Sequence, residues 1–175
     1  LSQYVSGMMM AACRLNGTLK IELSNPKETP YLYMTQKWLE SCGVKVRMSE
    51  DFKHIEVDGP VKIKAFDKAI PSDWEAVAFP LIAALITDSE LVINNVDLSG
   101  TQGDEAIVEV LKSLGADIEL DKQICSLKVH GGTKANNGTG RLSTELLKNK
   151  ELHVNLSGFP DAVCALAAVS CFVEG

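Results

Sequence analysis

Leu39-Glu40-Ser41-Cys42-Gly43-Val44-Lys45-Val46 is met again as Leu111-Lys112-Ser113-Leu114-Gly115-Ala116-Asp117-Ile118, the two glycines standing 72 positions apart. That period is too long for a small helical solenoid. Before each glycine runs a segment of helical period, residues 31–42 and 104–114, with apolar Leu32, Leu39 and Ile107, Val108, Leu111 near i, i+3, i+4, i+7 spacing. Gly43 and Gly115 read as C′ caps, because only glycine enters the left-handed conformation there without steric cost. After each glycine come two alternating stretches that predict a pair of strands: 44–48 with 53–57, and 116–120 with 124–129.

Working outward, the two copies also open alike. Residues 2–13 form a helical pattern rich in Met and Ala ahead of a strand at 18–23, and residues 73–86 form a second ahead of a strand at 90–94. The unit is αβαββ, with a further strand leading into the next copy. A third copy starts at Asp161 with an Ala/Val/Cys helix over 162–173, and the sequence stops at Gly175. A final apolar helix without a following strand is expected of a fragment. Residues 59–71 read as a crossover, and 131–150 as a turn with an inserted strand or helix before a strand at 153–156. Helices this apolar predict burial on most sides beneath a layer of sheet, an inverted arrangement for an α/β protein.

Composition narrows the function. The 175 residues are 46% hydrophobic, enough for a core, and carry 17 Lys plus Arg against 23 Asp plus Glu, a net charge of −6. No basic run exceeds two residues, so neither a nucleic-acid surface nor an anionic-membrane anchor is expected. The longest apolar stretch, residues 76–86, contains Pro80 and falls far short of the ~20 residues needed to span a bilayer. No secretory leader pattern is visible, and five cysteines without a C-x-x-C pair point to reduced, mostly buried thiols in a cytoplasmic protein.

All three apolar helices begin beside small polar or acidic residues: Ser2, Ser72-Asp73 and Asp161. Two readings stand side by side. Ser and Asp are favoured N-caps, and helix N-termini also hold anions. Ser2 and Gln3 are neutral donors suited to phosphate, whereas a carboxylate such as Asp161 suits holding a hydroxyl and moving its proton. His54, His130 and His153 are isolated and read as structural. Cys42, Cys164 and Cys171 read as packing residues, Met8-Met9-Met10 as core, and Gly131-Gly132 and Gly138-Thr139-Gly140 as turns.

Four segments carry a family resemblance. Ser2-Gln3-Tyr4-Val5-Ser6-Gly7-Met8-Met9-Met10-Ala11-Ala12 resembles the S-S-Q-[FY]-x-[ST]-A-L-L-M-A-A segment of the 5-enolpyruvylshikimate-3-phosphate synthase family. Pro30-Tyr31-Leu32-Tyr33-Met34-Thr35 resembles its P-Y-[IV]-x-[MI]-T helix start. Thr101-Gln102-Gly103-Asp104 through Gly115-Ala116 resembles its Q-G-D stretch, and Phe159-Pro160-Asp161-Ala162 its P-D helix start. The matches fall in the family's order over nearly the whole chain.

The resemblance implies an α/β fold of βαβαββ units repeated around buried helices, the inside-out α/β barrel of the enolpyruvyltransferase type. It puts residues 1–69 at the end of the domain that binds the shikimate phosphate and 70–175 in the first part of the second domain, the third unit truncated. The implied activity is transfer of the enolpyruvyl group of phosphoenolpyruvate to the 5-hydroxyl of shikimate 3-phosphate, with release of phosphate, by a monomer using no metal or organic cofactor. Ser2 matches a serine on the shikimate phosphate, Gln3 the neighbouring substrate-binding glutamine and Tyr31 a tyrosine lining the shikimate site. Asp161 matches the carboxylate that grips the reacting hydroxyls and accepts a proton. Two positions depart from the pattern: Leu1 replaces the first serine, and Glu28 stands where a phosphate-binding serine is usual. Either Ser24 or Lys27 supplies the phosphate contact instead, or the phosphate site is weakened. The alternatives are the enolpyruvyltransferase acting on UDP-N-acetylglucosamine, whose corresponding segment does not usually carry S-Q-[FY], and a non-catalytic binding or assembly module with the same repeat.

Overall fold

A computed structural model describes residues 2–131 and 140–175. The chain divides into two compact units, Leu1–Ala69 and Ile70–Gly175. In the first, α1 (Ser2–Ala12) is followed by β1 (Gly17–Glu22), α2 (Thr29–Ser41), β2 (Val46–Met48) and β3 (His54–Gly59). The last strand closes the sheet from the middle, in the antiparallel order β1-β3-β2. The second unit repeats this with α3 (Trp74–Ile86), β4 (Glu90–Asn94), α4 (Ile107–Ser113), β5 (Asp117–Asp121) and β6 (Ser126–His130), ordered β4-β6-β5. A 3₁₀ turn, Gly103–Ala106, leads into α4.

The helix ends show why the repeat is visible in the sequence. Gly43 sits at φ 84°; its N–H donates to the Glu40 carbonyl at 2.9 Å, and the Val44 N–H donates to the Leu39 carbonyl at 3.0 Å. Gly115, at φ 93°, donates to Lys112 at 2.9 Å, and Ala116 to Leu111 at 3.0 Å. This double closure satisfies the last helical carbonyls and turns the next apolar residue back onto the helix. Leu39, Val44, Leu111 and Ala116 are accordingly all buried.

The 72-residue offset extends through the cores without a gap. Val5 and Val77, Met9 and Leu81, Ile55 and Leu127, Val57 and Val129 are pairs of buried residues, one in each unit. Gly59 and Gly131 hold the same offset. A methyl group on Gly59 would overlap the Ala12 carbonyl oxygen and lie 2.6 Å from that of Leu15; on Gly131 it would overlap the Ala84 carbonyl oxygen and lie 2.9 Å from the Ser89 nitrogen. In both units a bare backbone therefore lets the end of the central strand lie against the end of the first helix. Neither glycine is a simple linker or turn residue.

The leading strands are short. Ser72 makes a single parallel bridge to Val96 across α3, and β7 (Leu142–Ser143) pairs in parallel with β8 (Val173–Glu174) across α5 (Val163–Ser170). The third copy thus has a strand after its helix, where the sequence predicted an end at the helix. The strand expected at 153–156 is not formed; Leu156 opens a 3₁₀ turn, Leu156–Gly158. Gly132 and residues 136–139 of the glycine-rich stretch lie outside the described residues.

Burial of the helices departs from expectation for a reason of layering. α1 buries the stripe Ser2, Val5, Met9 and Ala12 while Tyr4 is 73% exposed and Met8 and Met10 also face outward. α3 buries more, Trp74, Val77, Ala78, Leu81, Ile82, Ala84 and Leu85, yet Phe79 remains 52% exposed. One sheet layer covers one helix face. Of the three consecutive methionines only Met9 is core, and of the cysteines Cys13 alone is buried; Cys164 and Cys171 are exposed and do not pack as the apolar pattern predicted.

Candidate functional site

In the first unit the site gathers where α1 and α2 begin. Ser2 is the first residue of α1, so its N–H is among those the helix itself leaves unpaired. It does not cap the helix from outside. Its hydroxyl donates to Glu28 Oε2 at 2.6 Å, and its N–H donates to the same oxygen at 3.3 Å. Further along, the Ser6 and Thr35 hydroxyls are bonded at 2.8 Å, so α1 and α2 run side by side in the same direction. Glu28 occupies the N-cap position of α2 with a left-handed backbone, φ 52° and ψ 42°, but its side chain does not cap α2. It reaches to α1 instead. The hydrogen bond from the Ser2 hydroxyl holds its carboxyl below the usual carboxylate range.

Of the sequence-predicted residues here, Ser2 is buried, Tyr31 half-buried and Gln3 exposed. The Tyr31 N–H donates to the Glu28 carbonyl at 3.1 Å, which ties Ser2, Glu28 and Tyr31 into one cluster. Ser24 and Lys27 are exposed, and Glu28 is the residue bonded to Ser2. On the sheet's polar face Arg47 binds both Glu56 and Asp58 at 2.8 Å, and its guanidinium holds the Asp58 carboxyl well below the usual range.

In the second unit the helix starts separate into a capped and an uncapped case. Asp73 caps α3, its carboxylate accepting from the Glu75 N–H at 3.1 Å. Gln102 completes the cap: its carbonyl accepts from the Trp74 N–H at 2.8 Å, and its amide donates to the Ser72 carbonyl at 3.0 Å and to Asp97 at 3.2 Å. The indole of the fully buried Trp74 donates to the Asp97 carbonyl oxygen at 2.6 Å. The glutamine of Gln102-Gly103-Asp104 is therefore a clamp on the start of α3, a role its spacing did not disclose. Burial pushes the Asp97 carboxyl up, but hydrogen bonds from Ser99, Thr101 and Gln102 outweigh it and hold the group low.

Asp161 lies within the 3₁₀ turn Pro160–Ala162 that precedes α5, and no side-chain cap bond forms at either element. Its carboxylate is exposed and makes no hydrogen bond or ion pair with a described residue. It does act on Glu75, whose carboxyl is pushed up chiefly by the Asp161 charge, then by burial, Asp73 and Asp104. Glu75 had no signal in the sequence, because it lies far along the chain from Asp161. Among the described residues no group of three His, Cys, Asp or Glu could hold a metal ion, and no helix is long and apolar enough to cross a membrane. Buried His130 is paired with Glu90 at 3.0 Å, a structural contact between neighbouring strands.

Two gap-free αβαββ units, each with its closing strand in the centre of the sheet, define a repeat α/β protein of the enolpyruvyltransferase type. An EPSP synthase of Acinetobacter baumannii shares this fold at a TM-score of 0.67 with 21% identity, over 97% of this chain and 35% of that one. The sequence profile of EPSP synthase (3-phosphoshikimate 1-carboxyvinyltransferase) matches residues 1–175, and the chain belongs to that family. It is 30% identical over 174 residues to the 3-phosphoshikimate 1-carboxyvinyltransferase of Ruminiclostridium cellulolyticum, which covers 99% of this chain and 37% of the relative. It is 27% identical over 177 residues to that of Methanococcus maripaludis, covering 99% and 38%, and 30% identical over 176 residues to the chloroplastic one of Solanum lycopersicum, covering 99% and 32%. The chain spans about a third of the length of these curated relatives.

Proposed function

We propose that the protein containing this chain transfers the carboxyvinyl group of phosphoenolpyruvate to the 5-hydroxyl of shikimate 3-phosphate. Phosphate leaves with the electron pair of the C–O bond it gives up, and the accepting hydroxyl loses its proton as its oxygen forms the new bond. Residues 1–69 belong to the shikimate-phosphate-binding domain, with Ser2, Gln3 and Tyr31 on the substrate. Residues 70–175 begin the second domain, with Asp161 holding the reacting hydroxyls and taking the proton. Family membership along the whole chain supports the activity. The observation that carries the assignment of Asp161 is its uncapped, exposed carboxylate at a helix start where Asp73, in the equivalent setting, is consumed as a cap. Five free cysteines favour a reducing compartment such as the cytoplasm, where a monomer is the expected form.

The test is Asp161→Asn in the complete protein. Asparagine keeps the size and one hydrogen-bonding oxygen but does not accept the proton. Turnover should fall by ~10²–10⁴-fold, while the shikimate 3-phosphate dissociation constant stays within a few-fold. The melting temperature should not fall, since no cap is lost, and should rise by at most about a degree as the repulsion on Glu75 is relieved. Near-parental turnover would remove Asp161 from the chemistry.

A further inference from the structure

Cys13 and Cys42 are the first residues after α1 and α2. The two helices run in the same direction, and the Ser6 and Thr35 hydroxyls, meeting at 2.8 Å, fix their register. Cys13 and Cys42 stand at the same offset of 29 positions, each seven residues further on. Seven residues are two helical turns, which return to nearly the same face. The backbone is held at both ends: the Cys13 N–H donates to the Met10 carbonyl at 3.3 Å, the Cys13 carbonyl accepts from the Val61 N–H at 2.9 Å, and the Cys42 N–H donates to the Leu39 carbonyl at 3.0 Å. Cys13 belongs to the buried core of the first unit, and Cys42 packs against that core. In the second unit the residues at the 72-residue offset, Leu85 and Leu114, are both buried in one core, so each unit turns this pair of helix ends inward. The exposed Cys125, Cys164 and Cys171 all belong to the second unit.

We propose that Cys13 and Cys42 are an oxidisable pair, which an excess of a small-molecule disulfide joins reversibly into a clasp between the ends of α1 and α2. Half-buried Cys42 is the thiol that such an oxidant reaches first. Its thiolate attacks one sulfur of the oxidant, and the other sulfur leaves as a thiolate. Cys13 then loses its proton and attacks the Cys42 sulfur of the mixed disulfide, releasing the second half of the oxidant. Two protein thiols are oxidised and one small disulfide is reduced to two thiols. Burial pushes the Cys13 thiol up, and the Cys42 charge adds to the rise, so Cys13 is inert toward outside reagents and Cys42 is the ionisable neighbour close enough to act on it. A fixed register compensates for the scarce thiolate by proximity. In a reducing compartment the pair stays as thiols.

The experiment treats the folded, complete protein with glutathione disulfide, blocks the remaining thiols and maps the tryptic peptides by mass. The expected product joins the peptide ending at Arg14 to residues 38–45, lighter by two hydrogens than the separate peptides, and dithiothreitol splits it. In Cys13→Ser, glutathione should remain on Cys42; in Cys42→Ser, Cys13 should stay unmodified. Closing the loop between positions 13 and 42 should raise the melting temperature of the oxidised parent by several degrees, and the same treatment should give no rise in Cys42→Ser. Because Cys42 is half-buried, that variant keeps the test decisive even if Cys13→Ser fails to fold. The proposal is overturned if the joined peptide is missing once Cys125, Cys164 and Cys171 carry glutathione, or if it forms only in urea. A bridge that leaves the melting temperature unchanged or lower overturns it as well, since the helix ends would then have to move apart from their folded positions to make it.

Discussion

Glu75 shows how a single carboxylate records its surroundings. Asp161, Asp73 and Asp104 each push its proton affinity up, with Asp161 foremost. A carboxyl whose folded pKa lies above its unfolded value favours the folded state most at low pH, and that contribution is lost as pH rises through the folded value. At neutral pH the ionised Glu75 is therefore mildly unfavourable. Replacing it by Gln should raise the melting temperature at pH 7 by about a degree, the small size following from its exposure. The gain should shrink as the pH is lowered toward 4, where the parent group takes up its proton. Equal melting temperatures at pH 7 would remove the repulsion. Glu28 and Asp97 have the opposite sign: their lowered values stabilise the fold above the ordinary carboxylate range, and that support is lost on acidification.

At the scale of the element, the repeated pairing of a helix end with a strand end sets the strongest constraint. Alanine at Gly59 or Gly131 forces a methyl group into a backbone carbonyl that belongs to the first helix of its own unit. Each substitution should destabilise by about 1–3 kcal/mol, measured by urea unfolding of the complete protein. Loss of under half a kcal/mol at both would show the strand end free to move. These glycines also mark the limit of what the sequence discloses. Gly43 and Gly115 were legible, because a glycine after a helical period has one local meaning. Gly59 and Gly131 were read as crossover and turn, since their partners Ala12 and Ala84 are distant in sequence and nothing local signals the contact. The same limit applied to the site: Ser2 and Asp161 stood out as residue types at helix starts, but the bond from Ser2 to Glu28 and the clamp by Gln102 exist only once separate elements are packed. The exposed faces of α1 and α5 are a further case, because an all-apolar helix does not say how many layers one unit supplies to cover it.

For the whole chain, residues 60–71 form neither helix nor strand, and nearly all of them are exposed. Val61 ties the start of this stretch to the first unit, its N–H donating to the Cys13 carbonyl at 2.9 Å and its side chain packing on the core, and further along the stretch is held by Trp38. Phe66 lies 6.5 Å from its ring, and the Lys68 ammonium sits 4.2 Å above it, close enough for a cation–π attraction. Trypsin should therefore cut first after Lys62 or Lys64, where access is open. Trp38→Ala should expose Lys68 as a third early site. A first cut after Lys122, in the turn between β5 and β6, would contradict this. Trp38 also has an optical consequence, since the chain's two tryptophans fall one in each unit. Trp74 is sealed from solvent, so its indole emits toward the blue and escapes iodide, whereas half-buried Trp38 emits further to the red and is quenched. The chain carries a separate colour for each half, and a melt followed at two wavelengths reads whether the halves unfold together or in turn.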